Sequence, residues 1–145
     1  PTSLAMVLEY WGCSIPTAEV ARAVYDRAAE VYGNWSFNVA FAAEHGLRST
    51  VVRLSRLEAL EAEIAAGRPV VISHRYAEGE LSGSPLPSTS GHLIVVVGFD
   101  ADGGVVVNDP AGEPGSVRHI YARSELRRTW LRNSDGIAYR IARDD

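Results

Sequence analysis

Leu4, Val7, Leu8 and Trp11 recur three and four residues apart, which places them on one helix face. An amphipathic helix is therefore predicted over residues 1–11, with Gly12 to end it. Pro1 suits a first helical position, since the N–H it lacks would have no partner there, and the helix is expected to start upstream of residue 1. Thr17 can cap a second helix running to about residue 30, with Val20, Ala21, Val24 and Ala28 inward and Pro16 at the turn before it. A third helix fits 37–45, with Ser36 as N-cap, Phe37, Ala40 and Phe41 as its apolar stripe, and Gly46 as its stop.

After this helical third the pattern changes. Thr50-Val51-Val52 reads as a strand, and Ser55 and Glu58 form a capping box for a helix closing at Gly67. Pro69 to Ser73 is a buried strand, and 79–90, rich in Gly, Ser and Pro, is a long surface loop. Residues 93–97 and 105–108 pair as a hairpin through Asp100-Ala101-Asp102-Gly103-Gly104. A strand at 117–121, a short helix near 124–131 and a strand at 137–141 complete the chain. Helices first and a mostly antiparallel sheet second predict an α+β fold, a single domain over 1–145 with its helices on one side of the sheet. There is no internal repeat.

Composition narrows the function. With 145 residues and 46% apolar side chains, the chain can bury one sizeable core. A net charge of −4 and the lack of Lys/Arg clusters argue against a nucleic-acid partner. Arg123, Arg127, Arg128 and Arg132 read as a solvated helix face. The strongest apolar run, 93–99, is far short of the ~20 residues a membrane-spanning helix needs, so no span is expected. Cys13 is the one cysteine, which excludes an internal disulfide.

His92 stands where the polar loop meets the most apolar strand, with Gly91 beside it leaving room for close approach. Asp109 ends the strand that returns antiparallel from the hairpin, so the two side chains can meet across neighbouring strands. A histidine oriented by a carboxylate is the base half of a nucleophilic triad; a strand-end histidine beside an Asp-Pro turn is the alternative reading. The nucleophile is harder to place. Cys13 follows the first helix instead of preceding it and reads as structural, while Ser88, Thr89 and Ser90 lie too close to His92 in sequence and read as loop hydroxyls lining an approach. Trp35, at the mouth of the third helix, and the loop 82–87 could wall a peptide cleft, with Phe37 packed as core. His74, His92, Asp109 and His119 could in principle ligate zinc, but no His-x-x-x-His or Glu-x-x-His spacing supports it, and neither metal nor cofactor is expected.

Pro1-Thr2-Ser3-Leu4-Ala5-Met6-Val7-Leu8-Glu9-Tyr10-Trp11-Gly12, Gly33-Asn34-Trp35-Ser36-Phe37-Asn38, Ser90-Gly91-His92 and Asn108-Asp109-Pro110 together resemble the C39-like peptidases, bacterial cysteine peptidases with a papain-like fold. The resemblance covers almost the whole chain in order. Members typically read Cys-Gly-Pro-Thr-Ser or Cys-Ser-Pro-Thr-Ser at the first helix. It thus implies a catalytic cysteine two residues before Pro1, His92 as general base and Asp109 as its orienting partner; Trp35, Ser90 and Gly91, read from their own positions, are the candidate substrate-binding residues. A peptide or protein substrate and an extracellular or cell-surface setting follow from the same resemblance, and the chain without its nucleophile is expected to be inactive. The alternatives are a non-catalytic peptide-binding module or a cell-wall amidase on the same fold.

Overall fold

The structure is a computed structural model and describes residues 1–143. Helix α1 spans Thr2–Tyr10, α2 Thr17–Val24 and α3 Trp35–Glu44; strand β1 (Arg48–Arg53) and helix α4 (Leu57–Ala65) follow. Strands β2 (Val70–Tyr76), β3 (Thr89–Phe99), β4 (Val105–Asn108) and β5 (Arg118–Tyr121) come next. Helix α5 (Arg123–Leu126) then continues as a π-helical turn over Arg127–Arg132, before strand β6 (Ile137–Ala142). The strands form one sheet in the order β1-β6-β2-β3-β4-β5, with every pairing antiparallel.

β2 and β3 occupy the middle of this sheet and are covered on both faces. Alternate side chains feed two cores. Val71 and Val95 join Leu4, Leu8, Val24, Phe41, Tyr139 and Ile141 beneath α1–α3. Ile72, Ile94 and Val96 join Leu57, Leu60, Leu126 and Trp130 beneath α4 and α5. The one-sided helix layer expected from the sequence is therefore incorrect, because central strands with consecutive apolar residues, 70–72 in β2 and 93–97 in β3, must bury both faces.

Other boundaries move for local reasons. The second helix stops at Val24 rather than near 30, because the Asp26 carboxylate accepts the Ala28 and Ala29 N–H groups and the Asn34 side-chain amide, turning the chain back into a bridge between Asp26 and Val31. Asn34, not Ser36, caps α3, accepting from the Ser36 and Phe37 N–H groups. Thr17 and Ser55 provide no side-chain cap; Pro16 and Arg56 precede α2 and α4. Strand β3 begins at Thr89, four residues earlier than the apolar run suggests, because Tyr76 extends β2 and pairs with Thr89.

Candidate active site

The register between β2 and β3 sets His74 directly opposite His92. Strand alternation puts His92 on the same face as Ile94 and Val96, the α4 and α5 side of the sheet. Asp109, just past the end of β4, is fully buried, and its Oδ1 lies 2.7 Å from His92 Nε2. The turn that follows donates the Ala111 N–H to the same oxygen at 2.9 Å. From β5 the buried Tyr121 hydroxyl donates to Oδ2 at 2.8 Å. Burial alone would raise the Asp109 pKa, but the hydrogen bond from His92, then the Ala111 amide, and the Tyr121 hydroxyl outweigh it and hold the carboxyl below its usual range. Tyr121 shifts the other way: burial and the adjacent carboxylate both push its phenol up, so it remains a donor.

His92 is partly exposed, with 16% of its side chain accessible. Binding Asp109 through Nε2 leaves Nδ1 for another partner, the geometry of a base oriented from behind by an anion. The N-terminal turn of α1 is tied to the same strand, β3, through the strand's backbone. Buried Ser3 donates its hydroxyl to the Leu93 carbonyl at 2.6 Å, one residue beyond His92. Cys13 lies beyond the other end of α1, with its Sγ 3.8 Å from the His45 carbonyl.

His74 is entirely buried, 5.6 Å from His92 between ring centroids and 5.1 Å from Tyr76, and neither of its nitrogens has a hydrogen-bond partner among the described residues. Its pKa is pushed down to about 3, first by burial and then by the nearby His92, with Asp109 acting in the opposite direction. Such an unpaired buried polar group costs about 1–3 kcal/mol. His74, His92 and Asp109 place their ligand atoms within 4.8 Å of one another, whereas His119, the fourth metal candidate, stacks on Tyr121 and stands apart from that group.

The three predicted substrate-binding residues converge. Trp35, Ser90 and Gly91 line one cavity of about 270 Å³ with Leu93, Arg53 and Arg75. The loop 82–87 does not wall it. Instead Ser82 is held by the Glu125 carboxylate, Ser84 sits 2.5 Å from the Tyr76 hydroxyl, and Leu86 packs on the α4 and α5 core. Phe37 is not core either, being 42% exposed, because the inward face of α3 is taken by Asn38, Phe41 and Ala42. Tyr121 escaped the sequence reading altogether. Its signal is slight: it is the one buried side chain of β5, a strand of otherwise polar or exposed residues.

Helices thus pack on an antiparallel sheet in which a histidine of the central strand β3 is paired with a buried carboxylate just past β4. The chain belongs to the Peptidase_C39 like family, whose model matches residues 1–137. The fold is similar to that of a Bacillus anthracis protein described as a C39-like peptidase, with a TM-score of 0.71 and 19% identity over 99% of this chain and 88% of that one. It is also similar to the peptidase domain of Streptococcus ComA, a bifunctional ABC transporter of a quorum-sensing pathway (TM-score 0.68, 15% identity, covering 98% and 88%). A third likeness is to a double-glycine-motif protease from an AMS/PCAT transporter in complex with its leader peptide (TM-score 0.63, 19% identity, covering 98% and 81%). No curated protein matches the chain.

Proposed function

We propose that this domain is a thiol peptidase that hydrolyses peptide bonds by a Cys-His-Asp mechanism on a papain-like fold, with the cysteine two positions before Pro1 in the full protein. The observation that carries the reading is the His92–Asp109 pair at 2.7 Å, on the strand to which Ser3 pins the first turn of α1. A residue just ahead of that turn stands at the positive end of the helix, which favours a thiolate.

In the reaction, His92 takes the thiol proton on Nδ1 while Asp109 accepts from Nε2–H. The sulfur attacks the scissile carbonyl carbon, and the imidazolium returns its proton to the leaving amine as the C–N bond breaks. Water, deprotonated by the same nitrogen, then cleaves the acyl-enzyme to a carboxylic acid and frees the thiol. Asp109 never takes the proton; it fixes the tautomer and stabilises the charged ring, and Tyr121 and Ala111 keep its carboxylate in place. Trp35, Ser90 and Gly91 receive the substrate chain, and a peptide substrate is supported by the leader peptide bound to the transporter protease of the same fold.

The test is hydrolysis of a mixed peptide library by the protein extended upstream of Pro1, read by mass spectrometry. Cleavage lost in His92→Ala and reduced by about 100-fold or more in Asp109→Asn supports the mechanism. Peptide binding without cleavage would instead mark a non-catalytic module.

A further inference from the structure

The peptidase mechanism leaves one buried group without a task. His74 is fully enclosed, and neither ring nitrogen has a hydrogen-bond partner among the described residues. One of its ring nitrogens lies within 4.8 Å of a ring nitrogen of His92 and a carboxylate oxygen of Asp109, which are themselves within that distance of each other.

We propose that His74, His92 and Asp109 form a binding site for a divalent transition metal of the zinc type, and that loading this site switches the His92–Asp109 pair off. Two imidazoles and one carboxylate are a borderline-soft donor set that suits zinc over magnesium or calcium, which prefer all-oxygen shells. Tetrahedral ligands at about 2.0–2.2 Å from zinc stand about 3.3 Å apart. His92 Nε2 and Asp109 Oδ1, now at 2.7 Å, must therefore part by a few tenths of an ångström, and His74 must swing slightly inward. The supporting bonds are already in place: the Tyr121 hydroxyl holds the other carboxylate oxygen, and the Ala111 amide holds the turn. His92, the exposed member of the three, gives the ion its way in and leaves a fourth position for water.

Switching off follows from proton placement. With Asp109 as its acceptor, neutral His92 carries its proton on Nε2 and keeps a lone pair on Nδ1 to receive the thiol proton. A metal takes the Nε2 lone pair, so the ring proton moves to Nδ1 and no net proton is released. Nδ1–H cannot act as a base, and Asp109 is diverted to the ion.

The metal site rests on these three side chains alone; its effect on activity rests on the peptidase reading. The 145-residue chain is titrated with Co²⁺ and followed by its visible d–d bands, and Zn²⁺ affinity is measured by competition with a chromophoric chelator. One equivalent should bind, with a tetrahedral cobalt spectrum lacking the sulfur charge-transfer band that Cys13 would produce. His74→Phe and His74→Gln, each first checked for a cooperative melt, should weaken binding by more than the about 10–100-fold typical of losing an outer-shell partner. In the upstream-extended protein, Zn²⁺ at the measured Kd should halve hydrolysis, and His74→Phe should keep its basal activity while losing that sensitivity. No bound metal, or binding unchanged in both folded His74 variants, overturns the proposal. Metal binding with no hydrolysis under any condition leaves the site standing and overturns the peptidase reading, whereas hydrolysis indifferent to bound zinc upholds the peptidase reading and overturns the switch.

Discussion

Tyr121→Phe removes one oxygen from the site and little else. The ring remains in place, so no cavity opens; what disappears is the 2.8 Å bond to Asp109 Oδ2. The carboxylate is fully buried and held below its usual pKa, so it is charged at neutral pH and a water molecule cannot readily replace the lost donor. A hydrogen bond to a charged group contributes about 1.5–3 kcal/mol. His92 and Ala111 still bind Oδ1, which keeps the cost toward the lower half, about 1.5–2.5 kcal/mol. For a domain of this size each kcal/mol moves Tm by about 4 °C, so a fall of about 6–10 °C is expected. Thermal and urea unfolding at pH 7 provide the assay, with an unchanged m-value showing that the compactness of both states is preserved. A variant melting within about 1 °C of the parent would refute the view that Tyr121 holds the carboxylate.

Glu63 on α4, 8% exposed, accepts from Arg68 Nε at 2.6 Å and Arg140 Nε at 2.9 Å. Burial alone would raise its pKa, but the two arginines outweigh it and hold the carboxyl low. Because the folded-state pKa lies below the unfolded value, the stabilisation is complete above about pH 4.5 and is lost as pH falls through the folded value. Glu63→Gln should thus cost about 1–3 kcal/mol at pH 7 in urea unfolding, with the gap narrowing in acid; a gap independent of pH would count against the ion pairs. Trp35→Ala opens one wall of the 270 Å³ cavity and should raise KM by about 10-fold with a smaller change in kcat, and an unchanged KM would remove Trp35 from the binding site. Asn38, buried in α3, donates to the Tyr139 hydroxyl at 2.9 Å, so Asn38→Ala should lower stability by about 1–3 kcal/mol in the same urea assay, and a neutral result would show that bond to be dispensable.

Much of this architecture is legible in the sequence because its signals are local. The period of Leu4, Val7 and Leu8 gives α1, and the glycines of 103–104 fix the hairpin, whose register brings Asp109 back to His92. What escaped depends on contacts between distant segments. Asp26 stops α2 through a local turn onto the Ala28 and Ala29 N–H groups, but the Asn34 amide on its other oxygen comes from eight residues away and leaves no motif. Tyr121 reaches Asp109 only because β5 pairs with β4, and His74 meets His92 only through the β2–β3 register, so neither leaves a motif of fixed spacing. The helices on the second face follow from β2 being apolar on both sides, a feature a short buried run shares with one-sided strands until its neighbours are known.

The central claim is that a thiolate ahead of α1 works with His92. The most direct measurement is the rate of iodoacetamide labelling across pH in the protein extended upstream of Pro1, with the modified residue mapped by mass spectrometry. Fast labelling two positions before Pro1 at neutral pH is expected, slowed in His92→Ala, with Cys13 reacting no faster than a free thiol. Labelling at that position no faster than a free thiol, or a residue other than cysteine there, would contradict it.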